Sequence, residues 1–163
     1  MTNTPEETLF EENAESVTAR RWQQLRCYGF STGPHQLLVP QGTYCELLTQ
    51  YRLARFPNAP AHLLGLTNVR GNLIPVYQLE PLLALASERT PYALIIGNLP
   101  DAAALAIAHK PVQLDLAELT SSDDVRDFPG LLQSAVTATY VDSNGSWSTF
   151  DHEQLFSMLA SVH

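Results

Sequence analysis

Arg55-Phe56-Pro57-Asn58-Ala59-Pro60-Ala61-His62-Leu63-Leu64-Gly65-Leu66-Thr67-Asn68-Val69-Arg70-Gly71-Asn72-Leu73-Ile74-Pro75-Val76-Tyr77-Gln78-Leu79 is the stretch on which the reading of this chain turns. Pro57 and Pro60 lock their own φ angles, so the run opens with a stiff loop. The apolar runs 64–69 and 73–79 follow, separated by Arg70-Gly71-Asn72, a tight-turn signal that predicts a hairpin. Gly65 removes a side chain from the first strand, which permits a bulge or the close approach of another backbone. Gly71 permits positive φ at the turn. Pro75 cannot donate to a ladder and predicts an edge strand or a bulge. An edge beside a glycine is a place where another protein can pack.

Working outward, the chain before this run reads as short strands over 25–30, 36–39 and 43–48. They are punctuated by Ser31-Thr32-Gly33-Pro34 and Pro40-Gln41-Gly42. After it, residues 80–87 suit one short helix, and 92–99, 103–109 and 112–116 suit further strands. Residues 121–127 read as a polar, acidic loop. Strands over 136–141 and 146–150 flank Asp142-Ser143-Asn144-Gly145, where Asn-Gly signals a hairpin. Asp151, with Gln154 three residues on, caps a final helix that buries Leu155, Phe156 and Leu159. At the other end, Thr4-Pro5-Glu6-Glu7 reads as a capped helix start, and Phe10, Ala14 and Val17 follow at helical spacing. The spacing predicts a helix over 5–23, with Trp22 and Leu25 docking it on the body. Many short strands with regular turns predict an antiparallel, mainly β barrel or sandwich with few helices.

The 163 residues suit one domain or two small subdomains sharing a core. A hydrophobic share of 45% supports a packed interior. Charged residues make up 16%, below the usual figure of about 25%, which leaves a more neutral surface. No apolar run reaches the ~18 residues of a membrane span, and residues 1–15, with five acids and no base, do not resemble a secretory signal. A cytoplasmic location without membrane insertion follows as the expectation. Net charge is −8, unevenly spread: residues 16–79 hold six arginines against Glu46 alone, and 80–163 hold three bases against eleven acids. The middle block can offer a basic face to an acidic partner or be neutralised within the fold. Six scattered arginines are too sparse for nucleic-acid binding. Cys27 and Cys45 have neither zinc nor CxxC spacing and read as reduced packing residues. The five histidines form no metal spacing, and no nucleophile elbow, Walker loop or dinucleotide fingerprint is present. The reading is a non-enzyme without metal or cofactor.

The run from Arg55 to Leu79 resembles the central signature of CheW-type chemotaxis adaptors, agreeing in order, spacing and residue type across about 25 positions. Upstream, Tyr44-Cys45-Glu46-Leu47 is similar to a strand of that family carrying Glu46. The resemblance extends over residues 22–160, with residues 1–21 as an acidic helical extension. It implies two small five-stranded SH3-like barrels intertwined around a shared core, with a C-terminal helix. It also implies a scaffold that binds the regulatory domain of a CheA-type histidine kinase and the cytoplasmic tip of a methyl-accepting receptor, recruited to membrane receptor arrays. Glu46, Gly65, Asn68 and Arg70 match positions the family associates with partner binding, while Gly71 and Pro75 match turn and structural positions. Trp22, the spacing of Pro40, Tyr44 and Glu46, and Asn68-Val69-Arg70-Gly71 look closest to the PilI-like adaptors of type IV pilus twitching systems. Gln78 stands where the family usually has Asp, which puts any ion pair there in doubt. Ser148-Thr149 stands where it usually has apolar residues, so one surface there is expected to differ.

Each site residue also has a plain structural reading. Arg70 can bond loop carbonyls, Asn68 can cap the turn, Gly65 can serve packing, and Glu46 can be an exposed strand residue. Two other classes stay open for the whole chain. A small-molecule-binding barrel or an enzyme with a dispersed site predicts a sizeable apolar pocket with convergent polar groups. A CheW-like piece separated from a kinase or receiver domain is the third.

Overall fold

A computed structural model describes residues 26–124, 128–130 and 132–162, so the helix read over 5–23 and the docking of Trp22 lie outside the described residues. The described strands are β1 Arg26–Thr32, β2 His35–Leu38, β3 Cys45–Leu48, β4 Leu63–Val69, β5 Asn72–Tyr77, β6 Tyr92–Ile96, β7 Ala103–Ile107, β8 Val112–Asp115, β9 Thr120–Ser122, β10 Val136–Asp142 and β11 Gly145–Phe150. Two α-helices join them, the single turn α1 Leu132–Ala135 and the longer α2 His152–Ser161.

The strands form two curled sheets. One has five strands in the order β3-β6-β7-β5-β4, and the other has six in the order β8-β1-β2-β11-β10-β9. Most neighbours are antiparallel, but each sheet holds one parallel pair, β5 with β7 and β11 with β2. The six-stranded sheet takes strands from both ends of the described chain, while the five-stranded one is built from the continuous stretch between them. The sixth strand is β9, in the segment whose polarity reads as a loop. It sits at an edge, pairs only with β10, and keeps its side chains largely in water, so it carries no apolar alternation to reveal it.

Alternation within the strands explains how two sheets share one interior. In β6 and β7 every residue except Tyr92 is buried, as expected for a wall with protein on both faces. Ala93, Ile95, Ala104 and Ala106 face one cluster with Ile74 and Val76. Leu94, Ile96, Leu105 and Ile107 face another with Phe30, Leu37, Phe150, Leu155 and Leu159. The first cluster fills the five-stranded barrel, where alanines suit the narrow space, and the second is the core common to both sheets. Cys27, Leu38 and Trp147 fill the six-stranded sheet's own interior. Phe30 and Phe150 meet edge to face at 6.0 Å in the common core.

Several local expectations are corrected. The helix over 80–87 is one 3-10 turn, Glu80–Leu83, ended by Ala84 at φ 55°. At the last hairpin Asp142 pairs with Gly145, so Ser143-Asn144 are the central residues and Gly145 (φ 122°) follows the turn. Asp142 organises that loop, accepting from the Asn144 backbone at 2.8 Å and from the Trp147 indole at 3.1 Å. Ser148 and Thr149 are not on a surface at all. Both are buried, with Thr149 bonded to Thr137 at 2.8 Å and Ser148 to Thr139 at 3.4 Å. Pro75 is on neither an edge strand nor a bulge. β5 lies between β4 and β7, yet it pairs with β7 only at Val76 and Tyr77, so on that side Pro75 precedes the ladder.

The final helix forms as its cap predicts. Asp151 accepts from the Gln154 backbone at 3.1 Å, and Leu155 and Leu159 are buried. His62, buried under α2, donates its Nε2 to the Leu159 carbonyl at 2.7 Å and stacks on Tyr77, which stacks on Phe156. His62 is thus a hydrogen-bonded core residue that ties α2 to the five-stranded barrel.

Candidate partner-binding site

The β4–β5 hairpin turns through two residues. Val69 pairs with Asn72, leaving Arg70 at φ 48° and Gly71 at φ 83° as the central pair. Two successive positive φ angles make a type I′ turn, the geometry that matches strand twist. Gly71 adopts it freely. Arg70 does so against the clash between its Cβ and the backbone, and the neighbouring side chains compensate. Asn68 Oδ1 accepts from the Gly71 backbone at 2.9 Å, and Asn72 Nδ2 reaches the Val69 and Arg70 carbonyls at 3.3 Å.

The Arg70 side chain crosses to β3. Its two terminal nitrogens meet the two Glu46 oxygens at 3.0 and 2.8 Å, a fork-to-fork pair. The Arg70 hydrogen bond is the main reason the Glu46 carboxyl is held below its ordinary range, with the Tyr44 phenol adding a smaller contribution in the same direction. The pair lies at the surface, Arg70 being 58% exposed and Glu46 29%. It is the one salt bridge among the described residues. Two residues that sequence reading assigns to partner binding, 24 positions apart, are therefore in contact with each other.

Gly65 is in a different situation. It is buried in β4 beside a register shift between Leu63 and Gly65, the bulge its sequence context predicts. Its φ is +149°, and a Cβ there would meet the Ala54 carbonyl oxygen at 2.4 Å. Residue 54 runs antiparallel to β4 and exchanges both backbone hydrogen bonds with Leu66, at 2.8 and 2.9 Å. Gly65 thus lets residues 49–56 close over the outer edge of β4, and the close approach it allows is made by its own chain. Asn68 and Arg70 are exposed on the same hairpin, and Gln78 follows β5. Gln78 Nε2 donates to the Ala61 carbonyl at 2.8 Å, a bond that a carboxylate at this position could not make.

Beside the clamp runs a groove of ≈ 860 Å³ between residues 48–54 and the hairpin. Leu48, Leu53, Leu66 and Leu73 give it apolar walls, and its charged lining residues, Arg52 and Arg70, are both cations. Leu73 is 63% exposed, the largest exposure among the big apolar side chains of the described residues. Sequence reading passed over Leu73 and Arg52. The signal for Leu73 was available, since strand alternation buries Ile74 and so turns Leu73 outward. A second cleft, ≈ 680 Å³, separates α2 from the five-stranded sheet and is lined by Tyr44, Pro75, Tyr77, Asn98, His152 and Phe156 among others. Both barrel interiors are filled by side chains, which counts against the reading of a ligand held inside a barrel.

The family model of the CheW-like domain matches residues 26–157. The chain belongs to the CheW-like domain family. Among solved structures, the scaffolding protein TtCheW from Thermoanaerobacter tengcongensis superposes with a TM-score of 0.59 at 16% sequence identity, over 78% of this chain and 89% of that one. At that identity the likeness speaks for the fold. No curated protein sequence matches. Among the described residues no helix is long and apolar enough to cross a membrane, and no cluster of three or more His, Cys, Asp or Glu side chains could hold a metal ion.

Proposed function

We propose that this CheW-like protein is a non-enzymatic scaffold that couples a CheA-type histidine kinase to a methyl-accepting receptor. The observation that carries the reading is the β4–β5 hairpin, an exposed turn whose Arg70 is paired fork to fork with Glu46 next to exposed Leu73. A pre-ordered projection with an arginine and an aliphatic side chain has the composition of an interface anchor and loses little entropy on docking. The kinase regulatory domain meets this hairpin barrel to barrel, with Arg70, Asn68 and Leu73 as contacts and Glu46 orienting Arg70. Gly65 serves the packing that supports the hairpin. The helical receptor tip takes the cleft beside α2. Holding both partners raises the local concentration of kinase at the receptor. The protein then acts in the cytoplasm at membrane receptor arrays. The spacing of Pro40, Tyr44 and Glu46, together with Asn68-Val69-Arg70-Gly71, favours a type IV pilus twitching system of the PilI kind.

The test is a calorimetric titration with the regulatory domain of each CheA-type kinase from the same genome. Saturable one-to-one binding is expected, weakened at least about tenfold by Arg70→Glu or Leu73→Asp, the loss an anchor residue causes. The exchange Glu46→Arg with Arg70→Glu keeps an ion pair but reverses it. It is expected to restore the hairpin without restoring affinity. Normal binding by folded Arg70→Glu and Leu73→Asp variants would remove the hairpin from the interface. An absence of binding to every such kinase would remove the scaffold reading.

A further inference from the structure

We infer that the groove between residues 48–54 and the β4–β5 hairpin is a strand-addition site, which takes an extended segment of the partner, acidic and aliphatic by turns, alongside β4 at Asn68. The inference deepens the scaffold reading, on which the identity of that partner as the kinase rests.

The register of the hairpin leaves that place open. Opposite residues of an antiparallel pair alternate between exchanging both backbone hydrogen bonds and exchanging none. A two-residue turn is closed by a bonded pair, here Val69 with Asn72. Thr67 with Ile74 is then bonded too, while Asn68 opposite Leu73 and Leu66 opposite Pro75 are not. Pro75, which has no N–H, fits its unbonded place. The backbone N–H and C=O of Leu66 and Asn68 accordingly point away from β5, to the outer edge of β4. At Leu66 both are taken by Ala54, at 2.8 and 2.9 Å. Continued antiparallel pairing would set Arg52 against Asn68. Among the described residues, however, the Ala54–Leu66 bridge is the single backbone pairing of residues 49–56 with β4. The segment parts from the sheet there, and the ≈ 860 Å³ groove, lined by both, opens between them. Asn68 is exposed, and its backbone donor and acceptor have no protein partner among the described residues.

The walls decide what kind of segment fits. Leu48, Leu53, Leu66 and Leu73 supply an apolar side, and Arg52 a basic one, with exposed Arg55 three residues further along. Among the described residues neither Arg52 nor Arg55 has an ion-pair partner, while Arg70 is offset by Glu46. The groove is therefore net positive, which favours an acidic occupant and repels a basic one. Side chains of an added strand alternate between two faces, so aliphatic and acidic residues by turns meet both sides of the groove. A helix spends its backbone groups on itself and has none for Asn68, whereas an extended segment pairs with an open edge through its main chain. A second copy of this chain would bring the same arginines to the edge, which works against self-pairing.

Titration of the full chain with the kinase regulatory domain, read by amide hydrogen exchange and calorimetry, tests the site. In the complex the Asn68 amide is expected to exchange at least about tenfold more slowly than in the free protein. Asn68→Ala keeps the backbone N–H and loses the side chain, whereas Asn68→Pro loses both, at a position whose N–H the hairpin itself does not use. The proline variant should therefore bind about fivefold more weakly than the alanine one, the worth of one hydrogen bond. Arg52→Glu with Arg55→Glu should weaken binding about tenfold at low salt, and the loss should shrink at about 1 M salt. An unchanged Asn68 amide in the saturated complex, or equal affinity of the two Asn68 variants, would overturn the inference and leave the scaffold reading standing. Asn68 protection in the free protein that disappears on dilution would also overturn it, since that assigns the edge to a second copy. Should Asn68→Pro not fold, the Asn68 amide of the parent complex decides alone. Should no kinase bind, so that the scaffold reading fails, two acetylated peptides of about six residues test the groove by themselves, one alternating valine with glutamate and the other valine with lysine. Shifts of the Asn68 and Leu73 amide resonances with the glutamate peptide alone keep the strand-addition site, and shifts with both peptides or with neither overturn it.

Discussion

Replacing Gly65 by alanine separates the two roles this position has been given. The new Cβ would sit 2.4 Å from the Ala54 carbonyl oxygen, which is backbone and has no rotamer by which to withdraw. The chain can respond by moving residue 54 away, which breaks the two Ala54–Leu66 hydrogen bonds. At about 1 kcal/mol each, these contribute about 2 kcal/mol. It must also hold alanine at φ +149°, a conformation that costs a residue with a side chain about 1–3 kcal/mol. The stiffer unfolded chain of an alanine variant returns nothing here, because that gain appears only where the native conformation is unstrained. The total is about 3–5 kcal/mol out of the roughly 5–15 kcal/mol that stabilises a domain. Urea unfolding of the two proteins measures it directly. At about 2–4 °C per kcal/mol the melting temperature should fall by about 6–20 °C. Below the transition, kinase affinity per folded molecule should be close to that of the parent. A loss of stability below about 1 kcal/mol would refute the packing argument, since it would mean that residues 49–56 do not lie on β4 as described. If affinity fell as well, Gly65 would be a contact residue.

Three further outcomes follow from the same geometry. Gln78→Glu removes the donor to the Ala61 carbonyl and sets oxygen against oxygen, so it should cost about 1–2 kcal/mol in chemical denaturation, although glutamate is nearer the residue usual in the family. Ser148→Ala should cost about 1–2 kcal/mol by stranding the buried Thr139 hydroxyl, whereas Ser148→Ala with Thr139→Val should cost less than the single change; additive losses in this double-mutant cycle would mean the hydroxyls are not coupled. Burial pushes the Cys45 thiol up to about 11 and raises Cys27 as well, with Asp115 contributing to the latter. Both thiols should therefore react slowly with a disulfide reagent at pH 8 and fully on unfolding. Because the folded pKa of Cys45 is above its ordinary value of 9.0, its contribution to stability is intact below pH 9 and is lost between pH 9 and about 11. Fast labelling of the folded protein at pH 8 would contradict the burial.

How far sequence reading reached depended on the kind of signal each element carries. The β4–β5 hairpin, Gly65 at a bulge and the Asp151 cap were legible because each is local and is written in residues with special backbone chemistry. The all-β class was legible from short apolar runs. β9 was missed because an edge strand bathed in water needs no apolar face, and its three residues, Thr120–Ser122, have none. The last hairpin turns within Asp142–Gly145 as read, while which two of those residues are central is fixed by pairing across the sheet. The burial of Ser148 and Thr149 was invisible for the opposite reason. Their partners, Thr139 and Thr137, lie across the ladder, and one strand read alone looks merely polar. The contact between Glu46 and Arg70 belongs to the same class, a meeting of distant residues that only barrel closure brings about.

That contact also bears on why an arginine occupies the turn. A type I′ turn favours asparagine, aspartate or glycine at its first central position, and the chain places asparagine at 68 and 72 while keeping Arg70 between them. For backbone conformation alone glycine would serve better at residue 70, because it has no Cβ to clash at φ 48°. The backbone strain at Arg70 is instead matched to a guanidinium aimed at Glu46 and fixed by two hydrogen bonds. A guanidinium has five N–H donors, and at 58% exposure the clamp leaves the rest of the group facing outward. In the proposed interface Glu46 is an orienting residue. It removes the rotamer freedom that a long side chain would otherwise lose on binding, and it leaves donors for an incoming carbonyl or carboxylate. To the fold the exposed Arg70–Glu46 pair contributes little, set against the backbone strain at Arg70. To an interface it would offer a pre-aimed anchor, and this asymmetry is the ground on which we propose the kinase contact at the β4–β5 turn.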